Sequence, residues 1–517
     1  MTGANHTTIS LDGETLSSLQ VELVSKGFAK VEISQSAEIK INKARKVVEN
    51  ILESDKVVYG INTGFGALVK EKISKEDLET LQLNLIRSHA TAVGELMEKE
   101  QVRAMMCVGA NSLAKGNSGV SLGAVQQIVD ILNLDIIPAI PRIGSLGASG
   151  DLAPLSHLAL TLIGEGYVML DGGRIPSKEV LQDNGLIPIK LGAKDGLSLI
   201  NGTSQMLAML CEADWRLRGM LKMADIIFGA SLDARECTLT PFDERIHDAR
   251  PHVGQIEISR RIRKIMQNSD ILKSHLDCDR VQDAYSFRCT PQVHGAVHEQ
   301  YLALQNKVII ELNSVTDNPL IFPSLSKSGE YDVISQGNFH GEILALTADN
   351  MALALFEIAS ISERRMDQIL DPARSGLPAF LAENSGLESG LMIVQYVAGA
   401  SLAEMRGHAN PRSAFSTTTS AGQEDHVSMG ATACLNLLST IQRFSEVLAC
   451  EALIAVQALN LNKNESSPYV ESLRTLIANN CHPLTGDRST SDDLILIAKS
   501  IHDCSWISKI EAECGML

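Results

Sequence analysis

The stretch EILALTADNMALALFEIASISERRMDQILD (Glu342–Asp371) runs for 30 residues without a glycine or a proline. A segment free of both breakers keeps its backbone donors and loses little to chain entropy, which is what a long helix needs. Met351–Ile361 within it is apolar nearly all round, so this helix is expected at the centre of a bundle rather than on its surface. Ala431–Asn460 is a second run without either breaker. In Val293–Leu312, the residues Val293, Val297, Tyr301, Leu304, Val308 and Leu312 recur every three or four positions on one helix face, and Pro319 stops the helix beyond Thr316–Asn318. Helices this long need partners along their whole length.

Towards the N-terminus the pattern changes. Up to about residue 205, short apolar runs such as Lys56–Ile61 and Ile136–Ile140 alternate with helical stretches and many glycines. The expectation is a mainly α fold, with a long helical bundle and C-terminal helices over 206–517 and a smaller mixed α/β portion over 1–205. No internal repeat, linker or charge run marks a sharper boundary.

The 517 residues are 44% hydrophobic and 21% charged, ordinary globular usage that excludes a disordered or low-complexity chain. Aromatics at 4% leave Leu, Ile, Val, Ala and Met to fill the core, which disfavours an all-β architecture. Lys plus Arg number 45 against 62 Asp plus Glu, a net charge of −17, so nucleic acid is not an expected partner. The start MTGANHTTIS has neither a basic nor an apolar leader region, and no run of 18 apolar residues follows; a cytoplasmic protein with no membrane partner is expected. Ten cysteines never form CxxC and read mostly as buried thiols, with Cys278 and Cys289 flanking a polar segment where one could be reactive.

GSLGASGDLAPLSH (Gly144–His157) carries glycines at i, i+3 and i+6 and then turns into apolar, helix-like sequence. It is neither the GxGxxG dinucleotide fingerprint, nor a phosphate loop, nor the GxSxG elbow. As plain structure it is a glycine-rich turn before a helix capped near Asp151. As chemistry, Ala148-Ser149-Gly150 offers more. In a backbone forced tight, the Gly150 amide nitrogen can attack the Ala148 carbonyl carbon, an approach that a residue without Cβ makes most easily. Loss of water on ring closure, then dehydration of Ser149, gives a methylidene-imidazolone, an electrophile made without an external cofactor.

In this context the sequence resembles the aromatic amino acid ammonia-lyases, from Tyr59 to about Gly430. The resemblance implies their ammonia-lyase/fumarase-like helical fold, a 4-methylidene-imidazol-5-one formed autocatalytically from Ala148, Ser149 and Gly150, and a homotetramer whose sites are shared between chains. It also implies a small amino acid as substrate.

The remaining motifs are readable residue by residue. YGINTGFG (Tyr59–Gly66) alone is a buried tyrosine beside a turn; the resemblance implies that Tyr59 removes the substrate's β-proton. VQDAYSFRCTPQ (Val281–Gln292) sets Gln282, Tyr285 and Arg288 three apart, on a helix or tight turn, where they would share a polar face. A guanidinium is the natural clamp for an α-carboxylate, and the resemblance gives Arg288 that role, with Tyr285 and Gln282 against the prosthetic group. It further implies Asn201 of INGT as a donor to the imidazolone oxygen, Asn318 of NSVTDNPL near the carboxylate, and Phe339 of QGNFHGE against the prosthetic group. In SAGQEDHVSMG (Ser420–Gly430), Gln423 and Glu424 are implied to support that group, and Asp151 is a further supporting residue. His247, His252 and His340 show no HExxH or paired-ligand spacing, so no metal centre is expected.

Ser88-His89 and Glu404 bear on the substrate's ring. An imidazole needs polar partners on both nitrogens, which His89 and an acid can provide, and both match the histidine-acting members of the family. The implied reaction is anti elimination of ammonia from L-histidine to give trans-urocanate. Tyrosine ammonia-lyase or tyrosine 2,3-aminomutase chemistry is the alternative, because RGHANPRSAF (Arg406–Phe415) and Gly422 depart from the histidine-acting pattern. A non-enzymatic helical scaffold is the reading from another class.

Overall fold

The computed structural model describes residues 7–54, 58, 60–63, 77–170, 172–276, 281–327 and 329–517. Four helices carry the architecture: Ser204–Ala234, Thr290–Leu312, Glu342–Leu370 and Gly430–Asn460. The two runs without glycine or proline are helical to within a residue of the expected bounds. Thr290–Leu312 begins three residues before Val293, because Pro291 in its first turn lacks only an N–H that would have had no partner within the helix.

The chain packs into two compact units, each assembled from three segments. The first comprises Met1–Glu212, Gln305–Ala348 and Arg412–Leu435, the second Ala213–Leu304, Asp349–Pro411 and Asn436–Leu517. This division follows packing rather than the change of composition near residue 205.

In the first unit, Thr7–Leu11 and Ala29–Ile33 pair in parallel with Ile9, Leu11, Ala29, Val31 and Ile33 buried on alternate positions. The helix Gln35–Glu53 starts at Ser34, whose hydroxyl accepts the Ala37 N–H at 3.1 Å, and buries Ala37, Ile41, Ala44, Val48 and Ile51 on one face. Ala44, Val48 and Ile51 join Ile61, Leu78, Ala193 and Ile321 in one cluster. Small antiparallel ladders complete the mixed portion, among them Val93–Leu96 with Pro141–Ile143, which leads into the Gly144–His157 loop.

The second unit is helical and organised around buried charge. Glu451 accepts Ser231 Oγ at 2.7 Å and Arg365 Nη2 at 2.9 Å, and the guanidinium lies 5.2 Å from the centre of the Phe228 ring. Both ends of this pair are fully buried, so each fixes the register of the helix opposite.

Glu342–Leu370 is not buried all round. Ile343, Leu346 and Leu353 form an apolar stripe exposed at 46%, 45% and 47%, so among the described residues one face of this helix is left uncovered. It also has the length and apolarity of a membrane span, but 56% of its most apolar window is buried, as in a core helix.

Candidate active site

The Gly144–His157 loop is held tight by backbone contacts from three directions. Gly150, at φ +72°, pairs with Gly202, and the adjacent Asp151 N–H donates to Gly202 O at 2.7 Å. A Cβ on Gly150 would stand 2.0 Å from that carbonyl oxygen, so no other residue fits. Gly147, at φ +66°, gives its carbonyl to Ser428 Oγ at 3.0 Å and to the Gly341 N–H at 3.2 Å. Leu146 O accepts the Met429 N–H at 2.8 Å. The segments QGNFHGE and SAGQEDHVSMG thus close on the Ala148-Ser149-Gly150 turn.

The side chains follow that frame. Ser149 Oγ donates to Glu424 Oε1 at 3.1 Å, and Glu424 Oε2 accepts Thr419 Oγ1 at 2.7 Å. Asn201, in the orientation that satisfies both ends of its amide, donates to Ser149 O at 2.9 Å and accepts the Asn318 N–H at 2.9 Å. Asn318 Oδ1 in turn accepts the Gln336 N–H at 2.9 Å. Below them lies an ion pair that the sequence reading missed. Lys194 Nζ donates to Asp317 Oδ2 at 2.6 Å and to Ser198 Oγ at 3.0 Å, and Asp317 Oδ1 accepts the Asn318 N–H at 2.6 Å.

Asp151 departs from expectation. It sits at the N-cap position of Leu152–Leu162, yet its side chain makes no capping bond there. Its carboxylate accepts the Gln205 and Met206 N–H groups at 2.8 and 3.0 Å, so it caps the first turn of Ser204–Ala234 instead, and it accepts Ser145 Oγ at 2.8 Å. Burial pushes this carboxyl up to about 6, with the bonds from Met206, Ser145 and Gln205 opposing the rise.

Tyr59 and Cys278 lie outside the described residues. His89 ends the helix Leu78–His89, with Nδ1 2.8 Å from Leu85 O. A bond to a carbonyl puts the proton on Nδ1 and leaves Nε2 an acceptor. Ala148 is buried, Phe339 partly buried and Gln423 exposed.

In the second unit, Tyr285 and Arg288 lie on the short helix Tyr285–Arg288 while Gln282 precedes it in irregular chain, so the three do not share a helix face. Tyr285 and Arg288 stack at 4.5 Å, and Arg288 Nε is buried without a hydrogen-bond partner. Glu404 Oε2 accepts Arg443 Nε at 2.7 Å. Most described cysteines are buried, and burial pushes Cys107 and Cys450 up to about 12.

The fold also brings together His340, Glu342 and His426, which no motif spacing announces because His340 and His426 are 86 residues apart in sequence.

Residues 16–479 match the family described as aromatic amino acid lyase. The chain belongs to the aromatic amino acid lyases. Among curated members, a histidine ammonia-lyase of Natranaerobius thermophilus is 41% identical over 514 residues, covering 98% of this chain and all of its own length. Two solved structures of this lyase fold superpose closely. One is histidine ammonia-lyase from Trypanosoma cruzi, 37% identical with a TM-score of 0.89, covering 98% of this chain and 96% of its own. The other is tyrosine aminomutase from Streptomyces globisporus, 34% identical with a TM-score of 0.93, covering 99% and 100%. The mainly helical lyase fold read from the sequence is therefore the fold of the chain.

Proposed function

We propose that this aromatic amino acid lyase is a histidine ammonia-lyase, a carbon–nitrogen lyase that converts L-histidine to trans-urocanate and ammonia. The observation that carries the reading is the Ala148-Ser149-Gly150 turn. Gly150 is pressed against Gly202 O, where no Cβ fits, and Asn201 donates to Ser149 O. Such a turn suits cyclisation of the three residues to a 4-methylidene-imidazol-5-one, with Glu424 aligning the Ser149 hydroxyl that must leave. Once formed, that group supplies an electrophile for the substrate's amine and makes an external cofactor unnecessary. Asn201 is poised to steady negative charge arising at Ser149 O. Arg288 holds the substrate carboxylate, Tyr59 takes the β-proton, and His89 Nε2 accepts from the imidazole ring.

We further propose a homotetramer with sites shared between chains, in which the exposed stripe of Ile343, Leu346 and Leu353 is covered by another copy. Tyrosine 2,3-aminomutase chemistry is the second reading, favoured by the close superposition on the Streptomyces globisporus enzyme. Incubation with L-histidine, L-tyrosine and L-phenylalanine separately distinguishes them. Conjugated acrylate should accumulate fastest from L-histidine; a β-amino acid from L-tyrosine as the main product would instead identify the aminomutase.

A further inference from the structure

His340, Glu342 and His426 offer two imidazoles and a carboxylate whose ligand atoms all lie within 4.8 Å of one another. None of them has a role in the proposed reaction. The two rings are stacked, 6° from parallel, with centroids 5.8 Å apart, and His426 Nε2 lies 3.8 Å from Glu342 Oε2. Two features point to an occupant. Glu342 Oε2 is shielded from solvent without a hydrogen-bond partner, although its side chain as a whole is 39% exposed. A shielded carboxylate oxygen that accepts no hydrogen bond, with the His426 ring nitrogen standing off at 3.8 Å, is costly. The second feature is His340, whose Nε2 lies 3.2 Å from His426 O. That N–H bond leaves the Nδ1 lone pair free, and metal-ligating histidines characteristically donate their other ring N–H to a carbonyl or carboxylate in this way.

We propose that His340, Glu342 and His426 bind one divalent cation of the zinc or cobalt class, with water completing the coordination. Two nitrogens and one carboxylate oxygen suit those ions, whereas calcium and magnesium prefer all-oxygen sites. Metal–ligand bonds of about 2.0–2.1 Å put neighbouring ligands on a tetrahedral centre about 3.3 Å apart, within reach of side-chain rotation here. The cation would tie QGNFHGE to SAGQEDHVSMG, the segments that carry Phe339 and Glu424. It is a brace on the site, not a participant in the elimination, and the proposal stands whatever the substrate.

The test uses the full-length enzyme stripped with chelator and titrated calorimetrically with Zn2+, then with Co2+ for its absorption spectrum. One ion should bind per chain, without the intense thiolate-to-cobalt band that cysteine ligation gives. Glu342→Gln and His340→Ala should each weaken binding by at least the roughly 10–100-fold that loss of an outer-shell partner costs, while His252→Ala should not. A measurement on the unmodified chain keeps the test independent of how the variants fold. Saturating Zn2+ should protect His340 and His426 from diethyl pyrocarbonate, read by peptide mass mapping. Absence of a bound ion, a thiolate spectrum, equal affinity in all variants, or unprotected histidines would each overturn the proposal.

Discussion

Lys194 and Asp317 meet 2.6 Å apart with side chains 0% and 2% exposed, and the same carboxylate accepts the backbone N–H of Asn318. That N–H also faces Asn201 Oδ1, whose amide nitrogen reaches Ser149 O. The ion pair therefore positions Asn201 from a distance. Lys194→Met strands a buried carboxylate and should cost about 3–5 kcal/mol of stability, seen as a lowered Tm. Lys194→Met combined with Asp317→Leu removes both charges and should recover most of that loss. It should not recover kcat, because the Asn318 N–H is no longer held. Recovery of kcat together with Tm would reduce the pair to a structural role.

The intact mass of the purified protein should be two waters below that of its sequence, because ring closure and dehydration each release one. Ser149→Ala should fold normally, show no dehydration and lose nearly all turnover. Gly150→Ala should fail differently. Its Cβ would stand 2.0 Å from Gly202 O at a φ of +72°, so the turn must open, and stability and cyclisation should both suffer. A Gly150→Ala protein with wild-type Tm and the two-water mass deficit would contradict the tight-turn account.

Asp151 should leave a pH signature in stability. Its folded carboxyl sits at about 6 against 3.8 in water, so between these values the folded state holds a proton that the unfolded state has released. Stability therefore falls as pH rises through this window, by up to about 3 kcal/mol from this group, and no further change comes from it above or below. Asp151→Asn cannot titrate. The stability difference between variant and wild type, from denaturant melts at pH 4 to 7, should move in favour of Asn as pH rises. A pH-independent difference would show that the carboxyl is not raised.

Much of this architecture was legible because it depends on local sequence. Helices such as Glu342–Leu370 announce themselves by the absence of glycine and proline, and the Ala148-Ser149-Gly150 turn by its glycine spacing. What stayed hidden depends on chain segments far apart. Lys194 and Asp317 are 123 residues apart, and neither belongs to a motif whose spacing would pair them. Asp151 looked like the cap of the helix that follows it, but packing turned its carboxylate to the start of Ser204–Ala234, where two free N–H groups had no other partner. The His340, Glu342 and His426 cluster is invisible for the same reason, since its histidines come from separate loops. The stripe of Ile343, Leu346 and Leu353 was legible only in part. Near all-round apolarity places Met351–Ile361 at the centre of a bundle, but it does not say which apolar positions of the helix stay exposed at 45–47%.

The substrate's ring should be read by hydrogen bonds. With the proton of His89 committed to Leu85 O, Nε2 is left to accept an N–H from an imidazole, and Glu404, held by Arg443 at 2.7 Å, is the acid proposed for the other nitrogen. A site built to hydrogen-bond a polar ring rejects an apolar one because its own groups are then left unpaired, a penalty of roughly ten-thousand-fold in kcat/KM for comparable sites. L-phenylalanine should therefore be a very poor substrate. His89→Phe should narrow that gap from both sides, losing the acceptor for histidine and supplying apolar contact for phenylalanine. Glu404→Ala should cost far more with L-histidine than with any residual activity on the other two amino acids, since only the imidazole uses the carboxylate. Steady-state kinetics on all three substrates decides the matter. If Glu404→Ala lowers all three by the same factor, Glu404 serves the shared amine chemistry or the fold, and His89 alone is left to explain the ring preference.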